Sequence, residues 1–518
     1  MRRVQVFVVL AFAFGAEMSL AKNVYVSQNA AGGNTGADCA DAHPASWFNT
    51  ATNWGAGSAQ IGAGDTVHLC GAFNGVAGQN MLTTQGSGIS GKPITILFEP
   101  GASLSAPYWD GTNGAIHING QSYIVVDGGT NGTIRNTQNG TALTYQQTSR
   151  GVQIDNGNNV TVQNVIVTNF YVRTEDSTDS TDVICIGAGG ASDYITYQNN
   201  TLDHCRIGFA FTNDTASSTH GNLVIRNNTE TFWEHGITIA SSATNGIVSG
   251  VTVSGNSLGG GSYLWDSGSA NMWHHDGIHM FSQVSGSSVN NVQIYNNYFY
   301  GIWSRDAGYA ASHITAAIFL EQIGSGSLMF NNVIDFSQGG ALNQPTNGYI
   351  MCKGSGSNNC GMYNNTFYGI SDYAQAFSCS SNSGHIFQNN VAYQTDGMYA
   401  PSGCTIAASN NNVFYGTTGW TQNGSMLNSL SAWRSTTGFD GNSVAVNPLM
   451  TLGTYSLTTG SPAIGLGANL TSLGIAALMQ DKNGVARPTS GAWDSGAIQS
   501  QGTSATLIPP TSISLAIQ

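Results

Sequence analysis

The sequence NMWHHDGIHMF, which begins at Asn271, gathers ionisable side chains in a chain where Asp, Glu, Lys and Arg together make up only 8% of the residues. It holds three of the eleven histidines, and two of them, His275 and His279, lie close to Asp276. Imidazoles and carboxylates separated by about one strand spacing, ~4.8 Å, shift each other's pKa toward neutrality. Acid–base catalysis uses groups that titrate near neutral pH. We therefore expect this stretch to carry catalytic residues.

The same stretch contains a short phrase, GIHM, in which apolar residues occupy every second position. Comparable phrases recur along the chain as GVQI, VICI, GFAF, GITI, AIFL, YIMC and AFSC. This alternation predicts β-strands with one buried face. In three neighbouring phrases the residues expected to point inward are Ile237, Ile239, Ile278, Met280, Ile318 and Leu320.

Ionisable residues fall on one outward strip when these phrases are aligned. The strip and its immediate flanks hold Arg150, Asp182, Arg206, Glu234, His235, His275, Asp276, His279, Glu321 and Lys353. The alignment matches Arg150 with Asp182, and it stacks Glu321 directly on Lys353, which favours an ion pair. Because parallel strands stack at a fixed spacing, we expect these side chains to form one surface.

A second repeated phrase indicates how successive coils are held together. It reads YQNNTL, IRNNTE, VSGNSL, IYNNYF, MFNNVI, MYNNTF and FQNNVA, and its copies are 21 to 41 residues apart when weaker copies at Asn164 and Asn411 are included. Its fourth position is always asparagine, at Asn200, Asn228, Asn256, Asn297, Asn332, Asn365 and Asn390. A repeat of this length indicates a solenoid. Asparagine amides that hydrogen-bond from coil to coil, ~4.8 Å apart, are typical of a parallel β-helix.

Composition limits the compartment and the partners. The chain contains 67 glycines and has a formal net charge of −13 without a basic run, which indicates an all-β protein that does not bind nucleic acid. Residues 1–21 have the features of a secretory signal peptide, and their apolar stretch is shorter than the ~20 residues of a membrane span. We expect a secreted monomer, extracellular or periplasmic, without a membrane anchor.

Eight cysteines in an exported chain predict four disulfides. For the first half we favour Cys39–Cys70 and Cys185–Cys205. The last four cysteines allow two patterns, Cys352–Cys379 with Cys360–Cys404, or Cys352–Cys360 with Cys379–Cys404. The spacing of the residues does not choose between them.

The chain resembles the secreted right-handed parallel β-helix proteins of the pectate-lyase-like superfamily. The resemblance covers about residues 23–500 and is carried by VYVSQNAAGG and IGAGDTVHLCG, by the asparagine phrases, and by NPLMTLGTYSLTTGSPAIGLG. It implies helical caps in HPASWFNTATNW and LNSLSAWRSTTGF. The expected organisation is a signal peptide over 1–21, an N-terminal cap and first coils over 22–110, β-helix coils over 111–420, last coils and a C-terminal cap over 421–500, and a tail over 501–518.

The resemblance implies a secreted enzyme that cleaves a polysaccharide in a groove. Hydrolysis would use two carboxyl groups about 5 to 9 Å apart, namely Glu234 with Asp276 or Asp276 with Glu321. Elimination or epimerisation of a uronate would use His235 or His279 as the base. The cation that neutralises the uronate carboxylate would then be Arg150, Arg206 or Lys353.

Two further expectations concern ligands of the groove. Trp265, Trp273 and Trp303 lie in or beside long loops next to the strip, where indole rings would stack on sugars. Asp182 and Asp276 would hold a Ca²⁺ ion if the enzyme requires one. The alternative function is a non-catalytic glycan-binding or cell-surface β-helix protein, in which the histidines are structural.

Overall fold

The computed structural model describes residues 21–139, 147–171, 182–260, 275–282, 284–303, 314–338, 348–369 and 375–500. Nearly all regular structure in these residues is β-strand, and the chain winds repeatedly through three parallel sheets. The architecture is a right-handed parallel β-helix, as the sequence predicts. The proposed signal peptide, apart from Ala21, and the proposed tail lie outside the described residues. No helix in the described ranges has the length and apolar character needed to cross a bilayer.

The first sheet has fourteen strands that pair in parallel, coil upon coil. In order across the sheet they are His43–Pro44, Asn23–Ser27, Thr66–Leu69, Ile94–Phe98, Ser122–Asp127, Asn158–Gln163, Asp193–Gln198, Thr219–Arg226, Ile247–Ser254, Ser288–Tyr295, Leu328–Phe330, Gly361–Tyr363, His385–Gln388 and Ile406–Asn410.

The second sheet follows the first after a short corner. Its strands are Ala72–Asn74, Ser103–Ala106, Thr133–Asn136, Ile166–Phe170, the first parts of Thr201–Asn213 and Thr229–Ser241, Ser257–Leu258, Tyr298–Tyr300, Val333–Asp335, Thr366–Tyr368, Val391–Tyr393 and Val413–Tyr415.

The third sheet carries the strip of ionisable residues. Its strands are Leu82–Thr83, Ile116–Asn119, Ser149–Asp155, Val183–Gly189, the last parts of Thr201–Asn213 and Thr229–Ser241, His275–Ser282, Ile314–Glu321, Ile350–Lys353, Gln375–Ser380, Asp396–Ala400, Trp420–Gln422 and the antiparallel Ser425–Leu427.

Helices are short, and the longest lies next to the last coils. The α-helices are Ala45–Phe48 and Leu430–Thr437; the 3₁₀ turns are Cys39–Asp41, Ala51–Asn53, Thr471–Leu473 and Ala476–Met479; a last antiparallel pair is Met450–Thr451 with Ser456–Leu457. Phe48 and Trp433 are fully buried in the main core cluster, so each α-helix packs an aromatic ring against the stacked coils. Both α-helices fall in the segments for which the sequence predicts cap helices.

The main core fills the space between the three sheets. The residues predicted to point inward are fully buried in it, namely Ile237, Ile239, Ile278, Met280, Ile318 and Leu320. Because each coil contributes only a few apolar side chains, a coil buries them only by stacking on its neighbours. This requirement fixes the register of the third sheet, since a shift of one residue would turn the apolar side chains outward.

The predicted asparagine column lies at the corner between the first and second sheets. Asn228 is representative: its Nδ2 donates to Asn256 Oδ1 at 2.9 Å, while its Oδ1 accepts from the Asn200 backbone N–H at 2.9 Å. The same pattern links Asn256 through Asn390 and ends at Asn412. Asn412 therefore holds the place in the column that the sequence analysis gave to Asn411.

A parallel column of left-handed residues precedes the buried asparagines. Its members have φ between 53° and 67° and are Asn164, Asn199, Asn227, Gly255, Asn296, Asn331, Asn364, Asn389 and Asn411. Asparagine tolerates this conformation better than most residues. In the last four coils these amides also hold the C-terminal segment, because their Nδ2 atoms donate to backbone carbonyls of Gln480, Asp494, Ala468 and Leu466.

All eight cysteines form disulfides. Cys39–Cys70 and Cys185–Cys205 are confirmed, and the last four cysteines pair as Cys352–Cys360 and Cys379–Cys404. His385 is buried between the last two bridges, with sulfur atoms of both within 4.8 Å of its ring nitrogens.

Candidate functional site

The outer face of the third sheet contains a cleft with a volume of about 780 Å³. Strand pairing builds it from two columns. Arg150, Ile184, Ile207, His235 and Asp276 succeed one another in the first column. In the second, Ala210 pairs with Thr238, Thr238 with His279, and His279 with Phe319. The cleft is lined by Arg150, Asp182, Ile184, Arg206, Ile207, Ala210, Thr212, His235, Thr238, Ala240, Ser242, His279, Phe281, Ser282, Glu321 and Gln322.

His235, Asp276 and His279 converge at the floor of this cleft, and we call them the His–Asp–His cluster. Asp276 Oδ2 lies 3.8 Å from His235 Nε2 and 3.9 Å from His279 Nδ1. The other oxygen, Oδ1, accepts a hydrogen bond of 3.0 Å from the backbone N–H of Ala316 on the next coil. Asp276 is fully buried, whereas the two imidazoles reach the cleft. Of the five residues that the sequence groups here, the structure brings these three together at the cleft.

Glu321 and Lys353 extend the cluster over two more coils. Lys353 Nζ lies 2.6 Å from Glu321 Oε1, which is the ion pair that the stacked positions predict. The His279 imidazole, whose Nε2 lies 3.6 Å from Glu321 Oε2, and the Lys353 ammonium hold the pKa of the Glu321 carboxyl at about 2. The Glu321 side chain is therefore ionised at neutral pH. The His279 ring stacks on Phe319 with centroids 4.8 Å apart, which fixes its plane.

Glu234 does not line the cleft, contrary to the expectation that it is one of two catalytic carboxyls. Its side chain is fully buried, and its Oε2 lies 2.7 Å from Arg206 Nε. Arg206 is itself only 4% exposed, but its guanidinium reaches the cleft wall. A buried carboxylate beside a guanidinium stays ionised, because the charge of the partner favours that form. Glu234 thus orients Arg206.

Arg150 lies on the same wall and is held by the polar residues of its own strand. Its Nη1 donates to Gln153 Oε1 at 2.8 Å, and Gln153 Nε2 donates to Asp155 Oδ1 at 2.7 Å. The next link, which was not predicted from the sequence, joins Asp155 Oδ2 to His117 Nε2 at 2.9 Å. The sequence signal for His117 is AIHI, residues 115–118, which alternates like GIHM but was not included among the aligned phrases.

His275 and Trp303 are corrections to the predicted site. His275 is fully buried, and the register shifts between His275 and Asp276, so the two neighbours do not continue the simple alternation. Trp303 is fully buried in the core, where its ring meets Trp233 with centroids 4.5 Å apart and its Nε1 donates to the Tyr300 carbonyl. It therefore offers no face to a sugar. Trp265 and Trp273 lie outside the described residues.

The predicted Ca²⁺ pair is also wrong. Arg150 pairs with Ile184 and not with Asp182, which places the Val183–Gly189 strand two residues from the alignment made on sequence. Along this column Asp276 is three strand pairings away from Ile184, about 14 Å at ~4.8 Å per pairing. Ca²⁺ ligands lie about 2.3–2.6 Å from the ion, so Asp182 and Asp276 do not share one. Asp182 instead lies 3.8 Å from Arg206.

One buried acid went unnoticed in the sequence. Glu230 pairs with Leu202 and Leu258 on adjacent coils and points into the apolar core, where it is fully buried. Neither of its oxygens has a hydrogen-bond partner among the described residues, and burial raises its pKa well above the usual range. Gly208 makes room for it, since a Cβ there would lie 1.7 Å from Glu230 Oε1. The signal was present in the repeated phrase, where IRNNTE ends in Glu and YQNNTL ends in Leu.

Comparisons with known proteins find likeness in solved structures. No protein-family model and no curated protein matches the chain. The pectate lyase Pel9A aligns with 94% of this chain and 98% of its own, at 16% identity and a TM-score of 0.44. The GH136 lacto-N-biosidase from Eubacterium ramulus aligns over 74% of this chain and 68% of its own, at 14% identity and a TM-score of 0.43. The PL6 alginate lyase AlyGC aligns over 74% of this chain and 48% of its own, at 13% identity and a TM-score of 0.41.

Proposed function

We propose that this protein is a secreted enzyme that cleaves an acidic polysaccharide by β-elimination in the cleft of the third sheet. One observation carries the proposal: two guanidinium groups, Arg150 and Arg206, line the same cleft whose floor holds the His–Asp–His cluster. The cations suit a substrate carboxylate, and the cluster supplies a proton acceptor. The four disulfides fit an oxidising compartment outside the cytoplasm.

The substrate class follows from the charges of the wall. Guanidinium groups bind carboxylates in a bidentate fashion, and such pairing neutralises the negative charge of a uronate. Neutralisation makes the neighbouring C5–H bond more acidic, because the carbanion that forms is stabilised by the paired carboxylate. Arg206 is oriented by Glu234 and Arg150 by Gln153, so neither must be ordered when the substrate binds.

Elimination suits the described carboxyl groups better than hydrolysis does. Glycoside hydrolysis needs one carboxylic acid that delivers a proton to the leaving oxygen. Glu234 and Glu321 are held in ion pairs of 2.7 and 2.6 Å with Arg206 and Lys353, and such pairs favour the ionised form. Asp276 is fully buried and is not among the residues that line the cleft, so its oxygens do not reach a leaving group there. None of these three carboxyl groups is therefore suited to act as the acid.

The bonds that form and break in this elimination all belong to one polysaccharide chain, apart from the protons that are transferred. A base held by the His–Asp–His cluster takes the proton from C5 of a uronate residue. The electron pair of the C5–H bond forms the C4–C5 double bond, and the C4–O bond breaks with its electron pair on the leaving oxygen. That oxygen takes a proton from water or from a protonated group in the cleft. The products are an unsaturated uronate and a new reducing end.

The test is a screen of purified mature protein against polyuronates and neutral polysaccharides. We expect reducing ends and the absorbance of unsaturated uronates to rise together, with polyuronates only. His279→Ala and His235→Ala should each lower the rate by about 10²- to 10⁴-fold. His220→Ala is the matched control, because His220 pairs with Asp193 on the first sheet, away from the cleft.

Other outcomes of the screen are decisive. Reducing ends without unsaturated uronates would replace elimination by hydrolysis. Binding of a polysaccharide without any product would favour the glycan-binding alternative. Equal cleavage by wild-type protein and His279→Ala would place the active site elsewhere.

A further inference from the structure

We propose that the His–Asp–His cluster is a binding site for one divalent transition-metal ion of the Zn²⁺ class. The ligands are His235 Nε2, Asp276 Oδ2 and His279 Nδ1, one nitrogen or oxygen atom from each side chain. The binding of the metal stands on its own geometry, whereas the use that we assign to it rests on the proposed function.

The distances between the ligand atoms suit a common ion. The three atoms all lie within 4.8 Å of one another, and the two contacts to Asp276 Oδ2 are 3.8 and 3.9 Å. These two contacts are longer than hydrogen bonds, which span about 2.7–3.2 Å. Ligands bound tetrahedrally at about 2.0–2.1 Å from Zn²⁺ lie about 3.3 Å apart. Metal binding therefore requires the two contacts to Asp276 Oδ2 to shorten by about half an ångström, and the distance between the two imidazole nitrogens to shorten by up to about 1.5 Å.

The surrounding groups orient each ligand toward that point. The Ala316 N–H holds Asp276 Oδ1, and this bond directs Oδ2 to the imidazoles. Glu321 faces His279 Nε2 at 3.6 Å and so favours the tautomer with its proton on Nε2 and its lone pair on Nδ1. Carboxylates behind metal-bound histidines commonly play this part. Lys353 fixes Glu321 in turn.

The donor set and the place of the cluster indicate the class of metal. Two imidazole nitrogens with one carboxylate oxygen suit Zn²⁺ and its neighbours in the first transition row, whereas Ca²⁺ prefers six to eight oxygen ligands. Three protein ligands at the floor of a cleft leave a fourth position for water or a substrate oxygen, which is typical of catalytic sites. In the loaded protein the base would be a metal-bound hydroxide, which takes the C5 proton and becomes water.

The test is metal binding by the full mature protein, produced without a histidine tag and freed of metal by a chelator. Isothermal titration with Zn²⁺ and elemental analysis after gel filtration should give one ion per chain. Asp276→Asn and His279→Ala should abolish stoichiometric binding, while Glu321→Gln should weaken it by about 10- to 100-fold. His220→Ala, outside the cleft, should bind like the wild type.

Folding of each variant is checked by its near-ultraviolet circular dichroism, and Co²⁺ provides a second readout through its visible absorption bands. Failure to bind one ion, or unchanged binding by folded Asp276→Asn and His279→Ala, would overturn the site. One ion bound without cleavage of any polyuronate would keep the site and reject the proposed function. Full cleavage by metal-free protein that still binds one ion on titration would keep the site and the proposed function, and would reject the metal as the source of the base.

Discussion

Asp276 accepts a hydrogen bond of 3.0 Å from the backbone N–H of Ala316, so a side chain of the candidate site also joins two successive coils. Because of this double role, two substitutions of Asp276 should differ in their effect on stability. Asp276→Asn keeps an oxygen for the Ala316 N–H, so its free energy of unfolding should stay within about 1 kcal/mol of that of the wild type. The variant should nevertheless lose activity and metal binding. Asp276→Ala leaves that buried N–H without its acceptor and should cost about 1–3 kcal/mol of stability. Urea unfolding of both variants measures the difference; equal stabilities would show that the bond contributes little.

The Arg206–Glu234 pair should be strongly coupled, because both groups are buried. Arg206→Leu removes the guanidinium from a fully buried carboxylate, and we expect a loss of about 3–5 kcal/mol in the free energy of unfolding. The double variant Arg206→Leu with Glu234→Leu should recover most of this loss while remaining inactive on polyuronates. A double-mutant cycle measures the coupling. Additive losses would contradict a direct interaction.

The asparagine column should contribute more to stability than the left-handed column beside it. Asn228 makes four buried hydrogen bonds through its side chain, to Asn200, Asn256 and the Tyr197 carbonyl. Asn228→Ala should cost about 3 kcal/mol or more. The control is Asn227→Gly, since Gly255 occupies the equivalent place on the next coil, and it should change stability by less than about 1 kcal/mol. Thermal unfolding of the pair tests the contrast; equal losses would count against it.

Glu230 should make the fold less stable as pH rises above the ordinary pKa of a glutamate. Burial raises the pKa of this carboxyl in the folded chain, so the folded state binds a proton that the unfolded state releases above the ordinary glutamate pKa. The full stabilisation by that proton is present below the pKa of Glu230 in the unfolded state. It is lost as pH rises toward the pKa of Glu230 in the folded state. Glu230→Gln should therefore stabilise the protein at neutral pH. Between these two pKa values, the free energy of unfolding of Glu230→Gln relative to the wild type should grow by up to about 1.4 kcal/mol per pH unit. An advantage independent of pH would contradict a protonated Glu230.

His385 should make the fold less stable as pH falls, which is the opposite of the effect of Glu230. Burial lowers its pKa to about 4, whereas an unfolded histidine titrates near its ordinary value of 6.5. The unfolded state then binds the extra proton between these values, so stability should fall by about 3 kcal/mol as pH drops from about 6.5 to 4. His385→Gln should flatten this part of the curve, because an amide still hydrogen-bonds but does not titrate. Melting temperatures of oxidised protein across that pH range decide the point; parallel curves for both proteins would refute it.

The sequence predicted the parts of the fold that repeat. The asparagine column and the inward residues of the third sheet follow from periodicity alone, since each coil meets the same environment. The departures occur at the beginnings of two strands, His275–Ser282 and Val183–Gly189. The register shift next to His275 changes which neighbour faces outward, and the two-residue shift of Val183–Gly189 separates Asp182 from Arg150. The register of a strand also depends on the segment that leads into it, which phrases of four residues do not encode.

The candidate site shows the same limit. His235, Asp276 and His279 were found because they fall on aligned strands. The burial of Glu234 against Arg206 and of Trp303 against Trp233 depends on where side chains turn after leaving the backbone. Composition identifies such residues as candidates, and only three-dimensional packing distinguishes a groove residue from a core residue.

The stacking of His235 on Asp276 across successive coils has a consequence for changes in chain length. Residues added to or removed from a connection between strands, such as the one between Ser241 and Ile247, leave the pairing of the third sheet intact. A single residue inserted within Thr229–Ser241 would turn alternate side chains to the opposite face and separate the ligands. The protein is therefore tolerant of length variation in the turns between strands and intolerant of it within the strands.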